Sequence, residues 1–174
     1  LAPSFDWGSD ALSHLGHWFR TDIGPNPEIR AFTFNGGLVI GGCMIVFYFL
    51  SLARETKFLP SKIAFLGPAT TGLLLVGVGI FSENISLGHM ISALGFFFSI
   101  PISAALLGIT WVIRKEVRIY GVIILVITFL VVAIFSPWTS LAIWEFTISF
   151  IAWIEFWFII AIDAKGYLEV LKKK

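Results

Sequence analysis

Long apolar stretches without charge dominate this sequence and predict its elements. Four of them, each at least 18 residues long, occupy positions 36–53, 63–82, 90–113 and 119–144. Crossing about 30 Å of hydrocarbon takes about 20 helical residues, so each stretch is long enough to span a bilayer. A fifth stretch, 141–162, is equally apolar apart from Glu145 and Glu155. The pattern predicts an all-α, polytopic transmembrane bundle with five spans.

The same pattern divides the chain into three parts. Residues 1–35 are expected to form an outward-facing interfacial segment, residues 36–163 the transmembrane bundle, and residues 164–174 a basic cytoplasmic tail. Thr33 or Asn35 is suited to cap the first span, because both side chains accept hydrogen bonds from free backbone N–H groups. Within the bundle we expect spans at about 36–53, 61–82, 88–113, 118–136 and 141–163.

Composition supports a membrane protein and adds little about function. Hydrophobic residues make up 57% of the chain and charged residues 13%, whereas about a quarter of the residues in soluble domains are charged. The net charge of +1 gives no reason to expect nucleic-acid binding. A single cysteine, Cys43, excludes an internal disulfide. The absence of glutamine favours a thermophilic or archaeal source, although the apolar composition of a membrane protein could by itself explain that absence.

Basic residues are concentrated on one side of the membrane if the five spans alternate. Ten of the twelve lie in the segments 54–62, 114–118 and 165–174, which leaves Arg20 and Arg30 on the other side. Short loops rich in Lys and Arg stay cytoplasmic. This predicts a protein of the cell membrane, with residues 1–35 and the links 82–89 and 136–140 outside and the C-terminus inside.

The exported position of residues 1–35 calls for a hydrophobic segment upstream. The chain starts at Leu1 rather than at a methionine, and this segment contains four acidic residues. We therefore expect a removed signal peptide or another spanning helix before Leu1.

Two glutamates within the last span are candidates for a functional role. An ionised carboxylate at the depth of Glu155 costs at least about 2.5–3.5 kcal/mol on insertion scales. We expect Glu155 to be protonated or to face a partner within the bundle, either as a proton relay or as a hydrogen-bonding residue that joins helices. Glu145 lies nearly three turns further out and is expected to be close to the interface.

A second candidate site lies on the outer side. Asp10, His14 and His17 share one face of a possible short helix at positions i, i+4 and i+7, and Glu83 and His89 belong to the next outward link. Residues of these types can hold zinc or another divalent metal, with His14, His17 and His89 as ligands. Alternatively, Asp10, His14, Glu83 and His89 could act as general acids and bases. Capping and solvated surface roles remain open for the same residues.

The sequence lacks the common cofactor motifs. It contains no glycine-rich phosphate loop, nucleophile elbow, Cys-x-x-Cys pair or haem-attachment motif. Only His89 lies close to a span, so paired histidine ligation of haem within the membrane is not expected. We therefore expect neither haem nor a nucleotide.

Several short motifs follow one another in a distinctive order. Trp7 is followed by the sequence ALSHLG at 11–16, by FNGGL at 34–38, and by FSEN at 81–84 with His89. This order resembles that of a family of archaeal and bacterial membrane proteins, catalogued as domain of unknown function nine-nine-eight. Two positions depart from the family pattern, since His14 replaces an acidic residue and Ser82 replaces a proline. The resemblance implies a six-helix protein whose first helix precedes Leu1.

Three functions are compatible with these features. The first is a non-catalytic accessory or structural subunit, packed against other membrane protein subunits and membrane lipids. The second is an outward-facing enzyme, dependent on a metal or on His and carboxylate groups, that acts on a lipid or a lipid-linked substrate. The third is a proton or ion conductor that uses Glu155 and Glu145. The near-continuous apolar helices and the absence of a strong catalytic motif favour the first.

Overall fold

The computed structural model is an all-α bundle, as the apolar pattern predicts. It describes residues 2–134 and 141–172, with the backbone alone for 131, 134 and 141–143, so the predicted 136–140 link and the last two lysines lie outside the described residues. A short 3-10 helix and seven α-helices follow one another without a strand in the described part: the 3-10 helix (Leu12–Gly16), α1 (Pro27–Glu55), α2 (Leu59–Ala64), α3 (Leu66–Ile80), α4 (Ser86–Ile113), α5 (Arg118–Ile134), α6 (Leu141–Ala164) and α7 (Glu169–Lys172).

Four segments are long and apolar enough to cross a bilayer. They are Pro27–Glu55, Leu59–Ile80, Ser86–Ile113 and Trp144–Ala164, and a shorter apolar helix covers Arg118–Leu130. Large apolar side chains cover much of the outer surface, including Phe47 at 74% and Phe129 at 71% exposure. Such a surface is stable only against hydrocarbon, which makes the chain a multi-pass membrane protein.

Helix α1 begins at Pro27, nine residues before the predicted start of the first span. Proline is favourable in a first helical turn because its missing N–H would have no partner there. The expected caps are therefore wrong: Thr33 donates its hydroxyl to the Ile29 carbonyl, and Asn35 donates to the Gly16 carbonyl at 3.0 Å. Asn35 instead fastens the 3-10 helix to α1.

The second span is divided into α2 and α3 at Phe65. Pro68 explains the division, because a proline ring clashes with the carbonyl four residues earlier and supplies no N–H to it. That carbonyl belongs to Ala64, the last residue of α2.

Helices α1, α3, α4 and α5 pack in chain order, and glycines allow the close approaches. A Cβ on Gly42 would lie 2.7 Å from the Gly72 carbonyl oxygen, and one on Gly79 would lie 2.7 Å from the Asn35 oxygen. A Cβ on Gly121 would similarly meet the Gly108 oxygen at 2.7 Å. Small residues thus bring the backbones of α1 and α3, and of α4 and α5, into contact.

Helix α6 stands further from the others and is held mainly by aromatic side chains. Phe156 lies 5.8 Å from Tyr48 and 6.1 Å from Phe49, measured between ring centroids. Tyr120 of α5 lies 6.2 Å from Phe158. These large side chains bridge gaps that the backbones do not close.

The two ends of the bundle differ in character. We call the end formed by residues 2–26, the loop 81–85 and the start of α6 the rim end, and the opposite end, with α7, the tail end. At the tail end the Lys172 ammonium lies 2.8 Å from Glu55, 2.9 Å from Glu169 and 3.7 Å from Asp163. These bonds, that to Glu55 foremost, raise the pKa of Lys172 and fasten α7 to the end of α1.

Candidate ligand-binding site

A largely apolar cavity of about 450 Å³ lies between α6 and the helices α1, α3 and α4. It extends from the rim end, where Ser13, His89 and Glu145 line it, to Phe49 and Ile159 deep in the bundle. Cavities that bind small molecules in proteins occupy about 300–1,000 Å³ and are mostly apolar with a few polar groups. The volume and lining are those of a binding site for an apolar molecule.

Small residues and a distant α6 leave this space open. Gly41 of α1 lines the cavity, and a Cβ added there would meet nothing within 4 Å. Ala93 of α4 and Ala152 of α6 line it as well. The cavity also has an opening on the side, because Met44 and Trp153 line it while remaining 62% and 58% exposed. A molecule could therefore enter directly from the hydrocarbon, between α1 and α6.

Glu145 joins α6 to the 3-10 helix at the mouth of the cavity. Its Oε2 accepts a hydrogen bond of 2.9 Å from the Leu12 N–H, and the Ser13 N–H donates to the same carboxylate. The first N–H groups of a helix have no partner within it, so a carboxylate is a favourable acceptor there. Glu145 is only 8% exposed, which makes it a buried cap rather than the solvated residue expected at the interface.

His89 presents one nitrogen to the mouth of the cavity. Its Nδ1 lies 2.8 Å from the Phe81 carbonyl oxygen. A carbonyl only accepts, so Nδ1 carries the proton, and Nε2 of the neutral ring is an acceptor. His89 and Glu145 both line this end of the cavity.

Asp10, His14 and Glu83 form a chain of ionisable groups beside the mouth. His14 Nδ1 lies 3.0 Å from Asp10 Oδ1, and His14 Nε2 lies 3.8 Å from Glu83 Oε1. The Asp6 N–H and the His14 ring, in that order, hold the pKa of Asp10 below its usual value. A carboxylate bonded to Nδ1 orients the imidazole and leaves Nε2 on the side of Glu83, which is the geometry of a general base.

His17 does not join this group. Its Nδ1 accepts from the Phe19 N–H at 3.2 Å, and its Nε2 lies 3.4 Å from the Asn84 side-chain nitrogen. The separation arises because the 3-10 helix ends at Gly16 and the chain is extended at His17, so the expected i, i+7 face does not form. Within residues 2–134 and 141–172, no group of three or more His, Cys, Asp or Glu has the arrangement of a metal site.

Trp18 and Arg30 give the rim segment its shape, and their roles do not follow from the sequence pattern. The Trp18 backbone N–H and indole N–H donate to Asn84 and Ser82 of the α3–α4 loop. Arg30 is 3% exposed and donates to the carbonyl oxygens of Gly24 and Arg20. The sequence offered one signal for Arg30, its position shortly before a long apolar stretch. A guanidinium group close to hydrocarbon needs hydrogen-bond acceptors from the protein.

Glu155 lines the cavity far from these groups. It is 7% exposed, and within the described residues no side chain or backbone group forms a hydrogen bond with it. Two hydroxyls on the opposite wall do not compensate, because Thr71 donates to the Gly67 carbonyl and Ser103 to the Ile100 carbonyl. Its carboxyl group is therefore available to whatever occupies the cavity.

Comparisons with known proteins place the chain in a family without assigning an activity. No curated protein and no solved structure matches it. One family model does match, over residues 1–162, and its description is "Protein of unknown function (DUF998)". Because the match covers most of the chain and agrees with the resemblance in the motifs around Trp7, His14, Asn35 and Glu83, this multi-pass membrane protein belongs to the DUF998 family.

Proposed function

We propose that this protein binds a membrane amphiphile, with the apolar chain in the cavity and the headgroup at the rim end. The observation that carries the proposal is the continuous cavity, which is apolar at the depth of the hydrocarbon apart from Glu155 and polar at its mouth, at Ser13, His89 and Glu145. An amphiphile has the same division between apolar and polar parts. The opening beside Met44 and Trp153 supplies a route from the bilayer that avoids water.

The headgroup should offer both hydrogen-bond donors and acceptors. Glu145 is an acceptor with one carboxylate oxygen already held by the 3-10 helix, and His89 Nε2 is an acceptor in the neutral ring. The Ser13 hydroxyl can donate or accept. A hydroxylated or amino headgroup matches this set better than a bare phosphate, because Glu145, Asp10 and Glu83 would repel a dianion.

We place the rim end outside the cell and the tail end in the cytoplasm. The proposal is supported by the basic residues in the tail-end loops: Arg54, Lys57, Lys62, Arg114, Lys115, Arg118 and Lys165. On the rim end, Arg20 pairs with Asp22 at 2.9 Å and Arg30 is enclosed by carbonyl groups. The Lys and Arg distribution is the one that keeps loops cytoplasmic.

Native mass spectrometry of the protein, released from its own membrane in mild detergent, tests the proposal. Wild-type protein should retain a copurified lipid, and Gly41→Phe, which fills the cavity, should lose it. Gly37→Phe is a matched control, since Gly37 is one turn away, equally open and does not line the cavity. Equal lipid retention by the two variants would contradict the proposal.

A lipid-modifying enzyme is the second candidate, and the Asp10–His14 hydrogen bond of 3.0 Å favours it. His14 would remove a proton from the bound headgroup or from water, with Asp10 orienting the ring. His14→Ala should then retain the lipid and accumulate the unmodified form. The accessory-subunit and conductor hypotheses stay predictions: a partner at fixed ratio in the same spectra supports the first, and a loss of proton flux in Glu155→Gln supports the second.

A further inference from the structure

Glu155 is a buried polar group for which the protein supplies no partner among the described residues. It is 93% buried, from its 7% exposure, and it lines the cavity. A buried polar group without a hydrogen bond destabilises a protein, because it has lost its bonds to water without gaining others. Buried polar atoms in native proteins almost always have a partner. The missing partner of Glu155 is therefore expected among the contents of the cavity.

The position of Glu155 relative to the mouth gives the distance between two polar sites. Glu145 and Glu155 both line the cavity and are ten residues apart on α6. At 1.5 Å per residue, the separation along the helix axis is about 15 Å. The lining between them on α6 is Ser149, Ala152 and Trp153, and Phe96 and Phe97 line the cavity on α4. An occupant thus meets a polar mouth, then a length that is apolar apart from the Ser149 hydroxyl, and then a second polar site.

We propose that Glu155 recognises a hydrogen-bond donor, a hydroxyl or amine, carried by the occupant's chain about 15 Å from its headgroup. This inference rests on the proposed function and specifies it. A plain saturated chain leaves the carboxyl group unpartnered, whereas a chain with a second polar group satisfies it. The preferred ligand is therefore an apolar chain that carries polar groups at two positions, the headgroup and a second group about 15 Å away. Glu155 selects such a chain over an ordinary acyl chain.

Two simple probes separate this inference from the proposed function. Dodecane-1,12-diol and dodecan-1-ol share one chain length, and the hydroxyls of the diol lie about as far apart as the two glutamates when the chain is extended. Isothermal titration of the purified protein in detergent compares their affinities. Wild-type protein should bind the diol about tenfold more tightly, because a hydrogen bond to a charged or buried acceptor contributes that order of affinity.

Glu155→Leu and Glu155→Gln assign the preference to the carboxyl group. The leucine variant should bind both probes with equal affinity, and the glutamine variant, which keeps a carbonyl acceptor, should retain part of the preference. Both substitutions remove an unpartnered acid, so their thermal unfolding temperatures should equal or exceed that of wild type. Titration of each probe into protein-free detergent micelles corrects the affinities for the different partition of the two probes.

The possible failures are distinguishable. If neither probe binds wild type more tightly than Gly41→Phe, the cavity binds no apolar chain and the proposed function is overturned. If both probes bind wild type equally and more tightly than Gly41→Phe, chain binding stands and the role of Glu155 is refuted. A diol preference that persists in Glu155→Leu also refutes that role.

Discussion

Replacement of Glu145 by alanine tests how the rim segment is held over the cavity. The Glu145 carboxylate accepts the backbone N–H groups of Leu12 and Ser13, the first of them at 2.9 Å. Without it, these groups lose the cap that the described part of the chain supplies, and the 3-10 helix loses this link to α6. Loss of a helix cap costs about 0.5–2 kcal/mol, and a hydrogen bond to a charged group contributes about 1.5–3 kcal/mol.

We expect Glu145→Ala to lower the local stability of the 3-10 helix by about 2 kcal/mol. That free energy corresponds to a roughly 30-fold loss of protection from amide hydrogen exchange. Hydrogen exchange with mass spectrometry on residues 11–18 measures it, and peptides from 107–113 at the tail end serve as an internal control. Glu145→Gln keeps an acceptor oxygen and should lose less than the alanine variant.

One result would refute the reasoning. If the amides of 12–16 in Glu145→Ala exchange as slowly as in wild type, the carboxylate does not hold the rim segment. Its position at the cavity mouth would then be explained by ligand binding alone.

Three further substitutions test packing and charge. Gly72→Ala should lower the free energy of unfolding by about 1–3 kcal/mol, the usual cost of overpacking, because the new Cβ would lie 2.9 Å from the Gly42 carbonyl oxygen. Gly37→Ala, with open space around the new Cβ, is the neutral control. Asp10 has a lowered pKa in the folded state, so its stabilisation is fully present above its unfolded pKa of about 3.9 and is lost as the pH falls below it. The protection of the amides of residues 6–14, measured as the intrinsic exchange rate at each pH divided by the observed rate, should therefore be constant from about pH 5 to 8 and fall below about pH 4. The fall should be smaller in Asp10→Asn, and an identical acid response in that variant would contradict this. Lys172→Met leaves three carboxylates without their cation and should lower the thermal stability by about 1 kcal/mol at low salt, the usual size for an exposed ion pair or small network. The difference from wild type should shrink in 1 M salt, because screening weakens surface ion pairs, and a salt-independent difference would assign the effect to packing.

The class, the family and most of the helices of this protein could be predicted from the amino-acid sequence alone. A segment in hydrocarbon must satisfy its own backbone hydrogen bonds, so an apolar stretch of sufficient length has one solution, a helix. The bounds of α4, α5 and α6 therefore fall within two residues of the predicted ones where the chain is described. The start of α1 was mispredicted, because Pro27 and the polar residues after it extend the helix beyond the apolar stretch.

The grouping of polar residues was predictable only where it was local. The Asp10–His14 pair follows from i, i+4 spacing, and the structure contains it at 3.0 Å. His17 was separated from that pair by the end of the 3-10 helix at Gly16. The contact between Glu145 and Leu12 joins residues 133 positions apart, and no local pattern indicates such a pair.

The cavity and the position of Glu155 in its lining could not be predicted from the sequence, because both depend on how the helices pack. In a helix of a soluble protein, the apolar face indicates which side packs against the core. In a membrane the lipid and the protein interior are equally apolar, so hydrophobicity does not indicate which side of these helices faces the protein. Gly41, which opens the cavity, and Gly42, which closes the contact with α3, are neighbours in the sequence. The two glycines have opposite roles because α3 lies close to α1, whereas α6 lies further away. The packing of whole helices therefore determines which small residue contacts a backbone and which leaves space.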